Sequence, residues 1–220
     1  MAEAAMDHGL QYLGIADHSK SSFQANGLDE ERLSQQIETI QKLNEGFDGF
    51  ALIPGSEVDI LKNGSLDFDD DLLSQLNYCV ASVHNAFNLP EKEMTARLIR
   101  AMENEHVTML GHLTGRLLLR RDPYAVNIGK IIDCAAETRT VIELNCNPWR
   151  LDMDWRWWHR ARDKGVLTSI NSDAHATEQL QFLAYGTRLA KKGWLRSQDV
   201  LNCLPLTEMQ EWLALPKSKR

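Results

Sequence analysis

Long apolar runs are missing from this chain: none approaches the ~18 consecutive residues that span a bilayer, and nothing resembles a signal peptide. A membrane is therefore not expected as a partner. Cysteine is scarce, and Cys79, Cys134, Cys146 and Cys203 stand far apart with no Cys-x-x-Cys pair. That pattern excludes a disulfide framework and makes a reducing cytoplasm the natural setting. Positive charge is in deficit, with 24 Lys+Arg against 31 Asp+Glu and a formal net charge of -7. A protein that lives on the phosphate backbone by itself carries the opposite sign. DNA as a stoichiometric partner is disfavoured, whereas DNA presented as a substrate by something else is not. An acidic surplus also suits a site that collects divalent cations. What is present, 43% hydrophobic and 25% charged residues over 220 positions, is ordinary for a soluble globular chain and excludes disordered, collagen-like and coiled-coil classes.

Short apolar runs rich in β-branched or aromatic residues read as buried strands at Leu10–Ala16, Phe50–Glu57, Tyr78–Val83, Val107–Gly111, Val141–Leu144 and Val166–Ile170. Between them lie stretches with helical spacing. Asp29–Asn44 sets Leu33, Ile37, Ile40 and Leu43 on one stripe before Gly46, and Glu91–Glu103 repeats this with Met94, Leu98 and Met102. Asn127–Glu137 and Trp155–Lys164 follow suit, and Met1–His8 reads as an opening helix closed by Gly9. Strand alternating with helix predicts a parallel sheet with helices outside. The tail predicts a helix around Glu178–Ala184, then short helices at Ser197–Cys203 and Thr207–Leu213, with Trp194, Leu201, Leu204 and Trp212 burying an apolar cap. With no linker or repeat, residues 1–220 read as one domain: barrel units over 1–192 and a helical cap over 193–220.

The ends of the strand runs carry the chemistry. In order they bear His18, Glu57, His84, His112, Asn145, and the pair Asp173 and His175, spaced roughly one βα unit apart. A polar, potentially ligating residue at every strand end describes the mouth of a β/α barrel; an open doubly wound sheet would gather them at one switch point. Several imidazoles and carboxylates converging there are costly unless something satisfies them. A cluster of divalent ions does so, and imidazole plus carboxylate without thiolate suits Zn²⁺, Mn²⁺ or Fe. Glu57 could bridge two such ions, the arrangement that clamps attacking and leaving oxygens in phosphoester hydrolysis.

Read together, ADHSKS (16–21), NGLDEER (26–32), GSEVDI (55–60), GSLD (64–67), ASVH (81–84), GHLTGR (111–116), ELNCNPWRLD (143–152), NSDAH (171–175) and GWLRSQDVL (193–201) resemble the PHP (polymerase and histidinol phosphatase) superfamily. Within it, GHLTGR and NPWRLD point to the C-terminal PHP domain of bacterial family X DNA polymerases. The likeness covers essentially the whole chain. It implies a distorted TIM-like (β/α)7 barrel, a site for up to three Mn or Zn ions, and phosphoesterase activity at DNA 3′ ends of the 3′–5′ exonuclease kind. By motif, Glu57, His84 and His112 complete one metal site. His18 and His175 hold another, and Asp173 with the bridging Glu57 contributes to a third. Glu57, Asp173 and His175 are thus the catalytic candidates. The family's opening strand with His-x-His has no counterpart here, Leu113 stands where proline is usual, and Ser56 where an aliphatic residue is common. The chain is accordingly expected to start inside its first βα unit, with the N-terminal strand missing, two sheet edges exposed and the polymerase domain absent. The rival readings are a histidinol-phosphatase-like small-molecule phosphatase, a non-catalytic truncated module of a polymerase, and a metal-barrel amidohydrolase.

Other residues receive plainer readings. His8, His106 and His159 are ordinary surface residues, and Cys146 is a space filler beside the site. The acidic run Asp67–Asp71 lacks EF-hand spacing and reads as a turn and helix N-terminus. Trp155, Trp157 and Trp158, interleaved with Arg156 and Arg160, read as helix packing rather than a base-stacking platform. Lys20, Arg116 and Arg150 each follow a ligand-bearing strand end and are the candidates for substrate phosphate, the two arginines by their bidentate geometry. Arg120 and Arg121 read as peripheral.

Overall fold

Six parallel strands pair strictly in chain order, β1 to β6, in a computed structural model that describes residues 1–220. They are β1 (Tyr12–His18), β2 (Ala51–Asp59), β3 (Tyr78–Ser82), β4 (Met109–Leu110), β5 (Val141–Asn145) and β6 (Thr168–Asn171). The helices are α1 (Ala2–Asp7), α2 (Glu30–Asn44), α3 (Asp70–Leu73), α4 (Glu91–Met102), α5 (Ile128–Thr138), α6 (Trp158–Asp163), α7 (Leu183–Lys192) and α8 (Leu206–Ala214). The alternation expected from the sequence is therefore present, and so is the opening helix before the first strand. No helix is long and apolar enough to cross a membrane.

Helix starts follow local chemistry. The Asp29 side chain accepts from Arg32 N at 2.9 Å to cap α2, Asp69 caps α3 through Leu72 N, and Asn127 caps α5 through Lys130 N. The acidic run is thus a helix N-terminus, as its composition suggested. On α2, Leu33, Ile37 and Ile40 are buried but Leu43 is half exposed, because the last turn runs past the sheet.

Register assigns the faces. Across the sheet Gly14 pairs with Ile53, Gly55 with Tyr78, Val80 with Met109, Met109 with Val141, and Glu143 with Ser169. Successive residues alternate between faces, so these positions share the concave side of the curled sheet. Ile53, Val80, Met109 and Val141 pack there with Leu201, Met209 and Leu213 of the C-terminal segment. The opposite side carries the larger core, where Leu98 and Met102 of α4 and Ile131 and Ile132 of α5 lie against Val58, Ala81, Leu110 and Ile142. Gly14 and Gly55 are glycine because the Tyr78 ring lies over them; a Cβ at either would collide with it.

The tail departs from expectation. Ser197–Cys203 is two 3₁₀ turns rather than one helix, and the helix expected near Glu178 is a 3₁₀ segment, Thr177–Phe182, leading into α7. One of the two sheet edges expected to be exposed is covered. Asn202 Oδ1 accepts from Ile170 N at 2.9 Å, its Nδ2 donates to Ile170 O at 2.6 Å, and Val200 forms a parallel bridge with Thr168. A side-chain amide here does the work of a neighbouring strand. The other edge, β1, has a strand on one side only. A cleft of about 830 Å³ opens between β1 and β6, apolar at its base and polar where the strands end.

Candidate metal centre

The polar end of the concave face is set by the same register. His18 and Glu57 are direct partners across β1 and β2, so their side chains stand side by side. His84 lies two residues beyond β3 and His112 two beyond β4. All three imidazoles converge on one carboxylate. Glu57 Oε1 lies 2.8 Å from His112 Nε2 and 3.3 Å from His84 Nε2, and its Oε2 lies 3.4 Å from His18 Nδ1. The His18 and His84 rings meet edge-on at 4.8 Å, and His84 and His112 at 5.1 Å.

Distance is not the same as satisfaction. His18 Nδ1, His84 Nε2 and His112 Nδ1 are buried with no hydrogen-bond partner, and each such group costs on the order of 1–3 kcal/mol. One ligating atom each from His18, Glu57 and His84 can be chosen so that all lie within 4.8 Å of one another. His18 Nδ1 and His84 Nε2 face the Glu57 carboxylate, and imidazole with carboxylate and no thiolate fits a divalent cation of the Zn or Mn class. The residues present therefore fit such an ion.

Electrostatics agree with a tightly held carboxylate. Burial pushes the Glu57 pKa up, but the adjacent His112 and His84 rings more than offset it and hold the group well below the usual carboxylate range. Burial pulls His84 down, and the Asp59 and Glu57 carboxylates override it to hold the ring at about 9. For His18 burial wins and lowers the pKa.

Supporting residues that the strand-end reading passed over complete the site. Asp59 Oδ1 lies 3.0 Å from His84 Nδ1, turning Nε2 of that ring toward Glu57. This is the carboxylate–imidazole arrangement that orients metal-binding histidines. Asp59 is itself held by Ser22 Oγ at 2.6 Å, and its backbone N–H donates to Ser19 Oγ at 2.9 Å. Glu143 accepts from the His112 backbone N–H at 2.6 Å, from Asn145 Nδ2 at 3.2 Å and from Asn171 Nδ2 at 3.0 Å. His112 has φ +24°, a strained backbone for a non-glycine residue, and Glu143 pins that peptide. Burial pushes the Glu143 carboxyl up to about 7. Glu57/Asp59, Glu143/Asn145 and Asn171/Asp173 are all i, i+2 pairs. The period of two, applied to the last turn of each strand, was the signal that could have found them.

The remaining candidates lie farther out. Asp173, at φ +51°, accepts from Asn145 Nδ2 at 3.1 Å and has Arg150 Nε 3.5 Å away. His175 is mostly exposed, its Nδ1 against Asp173 O at 3.0 Å and its ring 6.2 Å from that of His18. Lys20 is on the surface, paired with Glu30. Arg116 is committed to the neighbouring loop: Nε donates to Arg150 O at 2.9 Å, Nη2 donates to Leu151 O, and Nη1 faces Asp154 at 3.8 Å. Arg150 keeps one buried nitrogen, Nη1, without a partner. Asp152 accepts from Thr114 N and Oγ1 at 2.8–2.9 Å, tying the β4 and β5 loops together. Trp158 is fully buried, and Trp155 and Trp157 pack on the same core, so that cluster is structural. Cys146 is buried among core residues.

No family model matches the chain. Individual proteins do, and they meet the resemblance read from the motifs. The chain is 43% identical over 213 residues to "DNA polymerase/3'-5' exonuclease PolX" of Bacillus subtilis (strain 168), which covers 97% of this chain and 37% of that protein. A "Probable phosphatase" of Thermoanaerobacter sp. (strain X514) is 25% identical over 99% of this chain and 88% of its own length. Another of that name, from Clostridium acetobutylicum (strain ATCC 824), is 33% identical over 133 residues, 56% of this chain and 52% of that protein. The chain thus spans just over a third of the length of the polymerase it matches.

Proposed function

We propose that this chain is a divalent-metal-dependent phosphoesterase acting on DNA 3′ ends, built as a PHP-type barrel over 1–192 with a cap over 193–220. The observation that carries the reading is the convergence of His18, His84 and His112 on Glu57 with three buried ring nitrogens unsatisfied. The names of the relatives, an exonuclease-bearing polymerase and phosphatases, supply the reaction class.

Glu57, His84 and His112 would hold one ion and His18 with His175 a second. Asp173 with Glu57 would contribute to a third, and the ions would be Mn or Zn, up to three in a complete domain. Such ions supply Lewis-acid polarisation of a phosphoryl oxygen and activation of water. The chain's own residues do the rest. Asp59 fixes the tautomer and direction of His84 by holding Nδ1. Glu143 fixes the His112 peptide. Of the three phosphate candidates we favour Arg150, whose Nε lies near Asp173 and whose buried Nη1 has no partner. A guanidinium there meets a phosphate oxygen at the edge of the centre. Arg116 supports it from behind by gripping the Arg150 and Leu151 carbonyls. Lys20 stands at the rim beside Glu30. The polymerase context would present DNA to this mouth.

The match along most of a phosphatase's length keeps one other reading alive, hydrolysis of a small phosphomonoester. One experiment separates them. With Mn²⁺, the chain should shorten a 5′-labelled oligonucleotide stepwise from its 3′ end and do so far faster than it hydrolyses histidinol phosphate. The opposite ratio selects the small-molecule phosphatase, and no turnover of either selects a non-catalytic module.

A further inference from the structure

The chain carries a net charge of -7, yet four arginines gather on one side of the mouth, on the loops that follow β4 and β5. Arg116 and Arg150 face Asp154 and Asp173. Arg120 and Arg121 have no carboxylate within salt-bridge distance, although Asp122 is their chain neighbour. Each lies instead over an aromatic ring: the Arg120 guanidinium is 4.3 Å from the centroid of Trp149, and that of Arg121 is 4.2 Å from Phe87 while its Nε and Nη2 donate to Gly115 O at 2.9 and 2.7 Å.

The apolar residues beside them are exposed and rigidly held. Leu119 is 99% exposed at the tip of a tight turn closed by mutual Leu117–Arg121 backbone bonds of 2.7 and 2.8 Å. Its φ of +63° is a strained conformation for leucine. Trp149 is 45% exposed. Its N–H donates to Asn147 Oδ1 at 3.0 Å, and its carbonyl accepts from Leu118 N at 2.6 Å, so the two loops are stitched at this residue. A strained, fully exposed leucine beside a fixed, half-exposed indole adds nothing to the core. A groove of about 410 Å³ runs along Arg116–Pro123. The patch is continuous with the metal centre, because Arg150 follows Trp149 in the chain and reaches Asp173.

Resting on the phosphoesterase reading above, we infer that Trp149, Leu119, Arg120 and Arg121 form a stacking platform for the unpaired bases of single-stranded nucleic acid. It leads the strand's 3′ end past Arg150 into the centre. Arg120 covers one face of Trp149, and the indole is 45% exposed, which leaves surface for a base. Indole–base stacking tolerates any sequence, and guanidiniums alongside take the phosphates. Leu119 wedges against the next base. Charge complementarity argues for this occupant over a protein partner: four arginines of an otherwise acidic chain gather on the two loops along which a polyanion would enter. The arginines read from sequence as peripheral become the surface that receives the substrate.

The test is binding of fluorescein-labelled dT12 by anisotropy in EDTA at low ionic strength, so that hydrolysis plays no part. The parent should bind dT12 more tightly than a 12-bp blunt duplex. W149A should lose about tenfold in affinity, and W149F should recover most of it. The double variant R120A/R121A should lower the slope of log K against log salt by about 1–2. W194A removes an indole that is 71% exposed on another part of the surface and should bind like the parent. W149A binding within twofold of the parent, or a preference for the duplex, overturns the platform whatever the parent hydrolyses. Binding that depends on Trp149 in a chain that hydrolyses nothing supports the platform and counts against the phosphoesterase reading.

Discussion

At Glu57 one carboxylate serves three imidazoles, and of these only His84 has a second carboxylate, Asp59, in reach. E57Q keeps the volume and removes the charge. It should lower Mn²⁺-dependent hydrolysis by at least about 10³-fold, while melting changes little, because the buried charge is lost together with its bonds. Activity within tenfold of the parent would remove Glu57 from the centre. D59N is the gentler test, since an amide can still meet His84 Nδ1 but no longer fixes its tautomer. Metal affinity should fall about 10–100-fold with the fold intact; unchanged affinity would make Asp59 a structural residue only. Glu57, His84 and His112 were legible in the sequence because a residue at a strand end needs only the strand to be found. Asp59 and Glu143 were not, because their importance lies in what they touch. A carboxylate that orients another residue's ring has no spacing signature apart from its shared face.

Elements were legible wherever hydrophobic period and caps agreed. α2 begins one residue after its Asp29 cap and ends at Asn44 as the stripe predicted, and β2 and β5 follow their apolar runs but extend past them, to Asp59 and Asn145. β4 is only two residues long, since the chain turns early toward His112, and no propensity announces that. The covered edge of β6 was equally hidden, because nothing local marks Asn202 as a substitute strand. N202A should expose Ile170 N and O and cost about 1–3 kcal/mol, read as a fall in denaturation midpoint without change in slope; no shift would mean water replaces the amide at no cost. The C-terminal tail is fastened by Lys217, whose Nζ donates to Met102 O at 2.5 Å and Asn104 O at 3.0 Å near the end of α4. Burial, aided by Arg220, lowers its pKa from 10.5 to about 8. The unfolded chain therefore holds this proton up to higher pH than the folded one, and stability from this site rises as pH climbs from about 8 toward 10.5. The difference in stability between the parent and K217M should shift toward the parent over that window. A flat or opposite trend would show that the ammonium keeps its charge in place.

For the molecule as a whole, curling of a parallel sheet places an apolar lower half and a polar upper half on one concave face. The C-terminal segment packs on the first, and the centre occupies the second. Folding and ion binding are then coupled, because the imidazoles are gathered only in the folded state. Mn²⁺ at a hundredfold excess over its dissociation constant should stabilise the protein by about 2.7 kcal/mol, a rise of about 5–10 °C in Tm for a chain of this size. E57Q should show little of it. The central claim, that Glu57 with His84 and His112 holds a divalent ion, is tested most directly by titrating Mn²⁺ into the chelator-stripped protein. The free-ion electron paramagnetic resonance signal is followed in the parent and in E57Q. The parent should take up at least one ion with a dissociation constant in the micromolar range or tighter, and E57Q should bind it at least about a hundredfold more weakly. Equal uptake by the two proteins, or none by the parent, would contradict the assignment.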